Sequence, residues 1–281
     1  MPVSWVDIDS GGQTMEGYLT RPETEGRYPA VIVIQEIWGV NSHIQSVTDR
    51  LPSQGYVGLA PAMFHREGRM TLGLYEEMQT ALGRLGRCSD ANIIADVKAA
   101  VAFLKAQPFV DPQRIGVVGF CFGGRVSYQS ACNVPDLQAA VVFYGGRILQ
   151  PLGGTGPAPV EQTAQMTLPL LGLFGETDQN PSPADVATMA AELQKHNKTF
   201  TFHMYPGCGH GFHCDGRASY RPEAAKDAWS KTLAWFDKYL KGQPVLHACS
   251  ALSTVDAGAV QPTIAPCAQI IFRVACLKVG K

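Results

Sequence analysis

Hydrophobic positions along the chain fall into short runs of two periods. Val3 to Asp9 and Thr14 to Thr20 are β-prone stretches separated by Gly11-Gly12, the pattern of a hairpin. Pro29 to Ile34 is a continuous, largely β-branched run, suited to a strand buried on both faces of a parallel sheet. Tyr56 to Ala60 (ended by Pro61), Ile115 to Phe120, Ala139 to Tyr144, Leu168 to Phe174 and Thr199 to Tyr205 read as further strands. Between them lie segments of helical character. Residues 42–54 have Asn41 or Ser42 as N-cap and Gly55 as the stop. Residues 74–86, 90–107 (capped by Ser89 or Asp90), 122–132 and 184–196 follow, and Pro222 to Leu240 is a long amphipathic helix. Strands alternating with helices imply crossover connections and a mostly parallel sheet flanked by helices, an α/β fold. The Gly-, Pro- and Gln-rich stretch 145–167 reads as a surface excursion. After residue 242 the alternation stops, so the expected organisation is one domain, 1–242, with a C-terminal extension, 243–281, of no assignable role.

Composition narrows the class. Of 281 residues, 46% are hydrophobic and only 17% charged, which argues against disorder and against a long coiled coil. A net charge of −1 with no dense basic run gives no electrostatic case for nucleic acid. No run of about 18 apolar residues predicts a membrane span. The start of the chain lacks the basic and apolar regions of a signal peptide, and the eight cysteines form no CxxC framework. The expectation is a cytoplasmic protein with mostly free thiols. Asn197-Lys198-Thr199 then matches a glycosylation sequon by chance.

The sharpest chemical signal is Gly119-Phe120-Cys121-Phe122-Gly123-Gly124, between a predicted strand and a predicted helix. This is the G-x-S-x-G nucleophile elbow with cysteine in place of serine. Its glycines allow a sharp turn that exposes the nucleophile. The helix start favours a thiolate, and the next N–H, that of Phe122, can serve an oxyanion hole. A triad on this scaffold runs nucleophile, acid, base along the chain. Asp178, just past the strand ending at Phe174, is the favoured acid, with Glu176 as rival. His210, in a glycine-rich loop after the last strand, is the candidate base. Ile37, just beyond the first central strand, sits where the second oxyanion donor belongs. Trp38, Phe64, Tyr144 and Phe212 are candidates to line an apolar pocket.

Four blocks, Gln35-Glu36-Ile37-Trp38-Gly39-Val40-Asn41, Gly119 to Gly124, Gly175-Glu176-Thr177-Asp178 and Gly209-His210-Gly211-Phe212, resemble the dienelactone hydrolase family in sequence and order. The resemblance spans about residues 1–242. It implies the α/β-hydrolase fold with an N-terminal antiparallel hairpin. It also implies hydrolysis of a lactone or small carboxylic ester, by a Cys121–His210–Asp178 triad through a thioester acyl-enzyme, without a cofactor. It assigns Glu36 the activation of the thiol. In that family arginines bind the substrate carboxylate, one of them four residues after the catalytic histidine. Cys214 stands there instead, so Arg66, Arg69, Arg84, Arg87 and Arg217 are the alternative candidates, Arg66 and Arg84 foremost. The expected partner is a small-molecule substrate, with no nucleic acid and no membrane; the oligomeric state is open. Two rivals are a zinc-binding loop at Cys208, His210, His213 and Cys214 and a non-catalytic thiol redox sensor or binding protein on the same fold.

Overall fold

The computed structural model describes residues 1–154 and 156–242. The predicted extension, with Cys249, Cys267 and Cys276, lies outside the described residues. The strands in chain order are β1 (Val3–Ser10), β2 (Gln13–Thr20), β3 (Tyr28–Ile34), β4 (Val57–Pro61), β5 (Val110–Phe120), β6 (Ala139–Phe143), β7 (Leu170–Gly175) and β8 (Phe200–Tyr205). They form one sheet in the order β1-β2-β4-β3-β5-β6-β7-β8. β1 and β2 pair antiparallel, closing at Ser10↔Gln13 around the two glycines. β2 meets β4 antiparallel, and every later pairing is parallel.

Among the described residues the α-helices are α1 (Ser42–Asp49), α2 (Met78–Arg87), α3 (Asp90–Lys105), α4 (Phe122–Asn133), α5 (Pro183–Lys195) and α6 (Pro222–Leu240). Side chains alternate across each strand, so a continuous apolar run feeds two cores. From β3, Ala30, Ile32 and Ile34 pack with Val97 and Val101 of α3 and Val126 of α4. Val31 and Val33 pack on the other side with Ile44 and Val47 of α1 and Phe236 and Leu240 of α6. Helix starts are fixed chemically: Asn41, Ser89 and Ser182 each accept an N–H of the first turn. In α6, Ala225, Ala228, Thr232, Phe236 and Leu240 form the buried stripe at helical spacing.

Three expectations are corrected. The helix predicted over 42–54 ends at Asp49 and gives way to a separate 3-10 turn, Pro52–Gln54, because Pro52 has no N–H to extend the ladder. The helix predicted from residue 74 starts at Met78, without a side-chain cap. Residues 145–167 are not a surface excursion: Ile148, Leu152, Ala158, Val160 and Met166 are buried in the core. The organiser is Arg125 on α4, whose side chain is 1% exposed. It forks onto Asp90 at 2.7 and 2.8 Å and donates to the carbonyls of Arg147 and, at 2.9 Å, Gln150. That buried ion pair draws a polar, proline-rich segment inward.

Phe236 is fully buried, and its ring lies where a Cβ on Gly116 would stand, 2.8 Å away. Phe236→Ala is expected to cost about 3–5 kcal/mol in urea unfolding, with activity per folded molecule retained because the residue packs away from the strand ends.

Candidate active site

Cys121 occupies the corner between β5 and α4 with φ 56° and ψ −112°, a backbone that L-residues seldom adopt. Two glycines make the corner possible. A Cβ on Gly119 would run into the Gly123 carbonyl, and one on Gly123 would run into the carbonyls of Ile34 and Gln35. The start of α4 is thereby pressed onto the end of β3, bringing Phe122 beside the loop that carries Glu36 and Ile37. Among the described residues, neither the Ile37 nor the Phe122 N–H donates to a loop or turn carbonyl. The Phe122 ring stacks on Phe64 at 5.6 Å.

Asp178 and His210 lie in the loops after β7 and β8. His210 Nδ1 is 2.9 Å from Asp178 Oδ2, and the Asp178 side chain is 1% exposed. The other oxygen, Oδ1, accepts the Asn180 N–H at 2.8 Å. Glu176 is exposed and accepts the Gly207 N–H at 3.2 Å instead. Cys121 lies near enough to the His210 ring for its charge to act on it. Burial works against a charged ring, but negative charge on Cys121 and the hydrogen bond to and charge of Asp178 outweigh it and hold His210 well above its ordinary value. The three side chains therefore lie together at the strand ends, with the His210 ring between Cys121 and the Asp178 carboxylate.

Glu36 is buried at 1% exposure, and neither carboxylate oxygen has a hydrogen-bond partner. The nearest cation is Arg217, with Nη1 3.7 Å from Oε1. Around Glu36 lie Tyr75, Tyr144 and Cys214, each of which feels its charge. Burial first, then that charge, pushes the Cys214 thiol up to about 12, and Cys214 Sγ lies 3.2 Å from the Tyr75 hydroxyl. Trp38, 1% exposed, meets Tyr75 edge-on at 5.4 Å. Tyr144 is fully buried, with its ring 5.2 Å from His210 and 5.4 Å from Phe212.

The candidate arginines separate. Arg66 is held by Asp96 at 2.5 and 2.9 Å, so its fork is spent at the far end of the β4 loop. Arg69 pairs with Asp7 and Glu16, and Arg87 with Glu67. Arg84 donates to the Leu72 carbonyl at 3.1 Å and lies near Trp38 across Gly73. Arg217 is the one that faces Glu36. Sequence reasoning missed Tyr75, which stands in a stretch read as plain helix. Its aromatic type beside Leu74 offered no motif.

The four residues of the rival zinc-loop reading do not form a metal-ligating group among the described residues. His210 is engaged by Asp178, while His213 stacks on Phe120 at 5.1 Å. Among the described residues, the possible metal-ligating group that gathers is His43, Cys214 and Asp215, and His43 Nδ1 is already paired with Asp215 at 2.8 Å. Burial, with His43 and Arg50 nearby, holds His213 well below its ordinary value, so it stays neutral.

The sequence profile of the Dienelactone hydrolase family matches residues 15–240. The chain belongs to this family. A Synechocystis sp. protein that carries a carboxymethylenebutenolidase name is 40% identical over 242 residues, which cover 84% of this chain and 96% of its own. A Bradyrhizobium sp. protein named as a 2-oxo-3-(5-oxofuran-2-ylidene)propanoate lactonase is 35% identical over 242 residues, 86% of this chain and 96% of its own. A Klebsiella pneumoniae crystal structure named as a dienelactone hydrolase superposes with a TM-score of 0.79 at 34% identity, covering 85% of this chain and 99% of that one. The sheet and its flanking helices are thus the α/β-hydrolase-like fold of the dienelactone hydrolases. No helix among the described residues is long and apolar enough to cross a membrane.

The two histidines three positions apart have opposite titrations. Their common unfolded value is 6.5. His210, raised when folded, contributes stability that is complete below 6.5 and is lost as pH rises through its folded value. His213, lowered when folded, contributes above 6.5, and that is lost as pH falls through its folded value. NMR titration is expected to show His210 protonated well above pH 6.5 and His213 neutral well below it. Asp178→Asn should move the His210 titration down and leave His213 in place.

Proposed function

We propose that this dienelactone hydrolase family member hydrolyses a lactone or small carboxylic ester through Cys121, His210 and Asp178. The observation that carries the reading is the convergence of three side chains from three strand ends, with His210 Nδ1 2.9 Å from Asp178 Oδ2 and Cys121 near enough for its charge to act on the same ring. The names of the Synechocystis and Bradyrhizobium relatives support the substrate class.

The Cys121 thiolate attacks the carbonyl carbon, and the carbonyl electron pair moves onto oxygen. The backbone N–H groups of Ile37 and Phe122 stabilise that oxyanion. Collapse expels the alkoxide, which takes its proton from His210, and leaves a thioester on Cys121. In a lactone the leaving group stays tethered through the acyl chain. His210 then takes a proton from water, hydroxide adds to the thioester, and the thiolate is released. Asp178 holds the imidazole tautomer and stabilises the imidazolium. Glu36 tunes the thiol from inside the same pocket. Arg217 supplies the cation for a substrate carboxylate, from a position seven residues past His210. Trp38, Phe64 and Phe212 form the apolar walls. A reducing, cytoplasmic setting suits a thiol nucleophile.

Cys121→Ala is expected to abolish hydrolysis, and intact-mass analysis of wild type with a nitrophenyl ester should find one acyl group on Cys121. Acylation elsewhere, or full activity without the thiol, would sink the mechanism. Glu36→Gln should fold normally and lower turnover. Arg217→Gln should raise KM roughly 10-fold or more for a carboxylate-bearing lactone, the scale of one lost charge-assisted hydrogen bond, while a neutral ester is hydrolysed as before. Steady-state kinetics on the two substrates measures the difference.

A further inference from the structure

We propose that His43, Cys214 and Asp215 form a binding site for a zinc ion, apart from the triad. Each offers one ligand atom, and the three atoms all lie within 4.8 Å of one another. His43 is the second residue of α1, and its side chain is 2% exposed. Cys214 and Asp215 lie in the loop after β8. Cys214 is fully buried, whereas the Asp215 side chain is 52% exposed, so the group reaches solvent through the carboxylate. Imidazole, thiolate and carboxylate are ligand types that zinc takes, and three of them leave a fourth, tetrahedral position for water. Their charges suit a buried dication, because one thiolate and one carboxylate neutralise it.

The surroundings of the sulfur suit a thiolate. Cys214 is held on both sides: its N–H donates to the Gly211 carbonyl at 3.0 Å, and its carbonyl accepts the Arg217 N–H at 3.2 Å. The Tyr75 hydroxyl lies 3.2 Å from the sulfur. Asn41 decides which of the two donates. Its Oδ1 caps α1 by accepting the Ile44 N–H, so its Nδ2 is the atom that donates to the Tyr75 oxygen, at 3.1 Å. The Tyr75 hydrogen is then aimed at the sulfur. A thiol sulfur is a weak acceptor, whereas a metal-bound thiolate gains from an outer hydrogen bond of this kind. His43 shows a matching asymmetry. Its Nδ1 pairs with Asp215 at 2.8 Å, while the buried Nε2 has no partner among the described residues. Zinc takes the place of the hydrogen between His43 and Asp215, and that hydrogen moves to Nε2. The thiol proton leaves to solvent, because coordination deprotonates a thiol outright. Zinc bonds of about 2.0–2.3 Å require the His43–Asp215 pair to open by roughly half an ångström and Cys214 to close in. Asp215, the exposed member, has room to make that adjustment.

The experiment titrates the full chain with zinc against a chromophoric chelator, and with cobalt(II) as a spectroscopic substitute. The triad also holds a cysteine, a histidine and an aspartate, so every titration is run in a Cys121→Ala background. Cys121→Ala should bind one zinc ion per chain and show thiolate-to-cobalt absorption. Adding Cys214→Ala should abolish both. Adding Tyr75→Phe should weaken zinc about 10-fold or more, the scale of a lost outer hydrogen bond. Adding Asp215→Asn, which keeps an acceptor for His43 but not the charge, should weaken it as well. Zinc should raise the melting temperature of Cys121→Ala and leave that of Cys121→Ala/Cys214→Ala in place. No stoichiometric zinc in Cys121→Ala, or zinc and thiolate absorption that persist without Cys214, would overturn the proposal. If the Cys214 change prevents folding, the other two variants decide, and unchanged affinity in both overturns the site.

Discussion

Close backbone contact at the elbow governs the geometry of the site. Because Gly119 and Gly123 carry no side chains, the first turn of α4 settles directly on the end of β3. That approach fixes Cys121, the Phe122 N–H and the Glu36 loop relative to one another before any side chain chooses a rotamer. Its cost is a left-handed cysteine. The strain is sustained by the parallel ladder on both sides, β3 with β5 and β5 with β6, and by the Cys121 N–H bond to the Phe143 carbonyl at 3.1 Å.

Electrostatics then divides labour within a single loop. His210 and His213 share a chain segment but not an environment. One ring faces a buried carboxylate and Cys121; the other stacks among aromatic rings with His43 at 5.6 Å. The same residue type is therefore favoured in its charged form in one place and in its neutral form in the other. The free cysteines divide similarly. Cys121 sits at a helix start beside a cation, whereas burial raises Cys132 and Cys214 to about 12, which leaves them unreactive near neutral pH.

What the sequence made legible is what local chemistry decides. The glycine hairpin, the Ser89 and Asn41 caps, the α6 stripe and the elbow all depend on neighbours a few residues away, and the fold reproduces them. The order of Cys121, Asp178 and His210 was readable because each follows a strand, and parallel strands end on the same rim. The misreadings have the opposite character. The 145–167 segment looked like surface because its composition is polar. It is buried because Arg125, some 20 residues earlier, gathers its carbonyls. Tyr75 gave no signal along the chain, since its meaning comes from a cysteine far away in sequence, and Arg217 was one of five arginine candidates until its distance to Glu36 set it apart. Arg66 looked like a substrate ligand, but Asp96 claims it from another helix.

Helix α2 has a different standing from the rest of the fold. Of its ten residues only Ala81 and Leu85 are buried, while Met78 and Leu82 remain 39% and 43% exposed. Little apolar contact binds it to the sheet, so its detachment is a local event, separate from global unfolding. The segment leading into it is latched to the pocket by the Gly73 N–H on the Trp38 carbonyl at 3.0 Å. Its opening has a free-energy scale of its own, so changes in this helix shift local opening without endangering the fold.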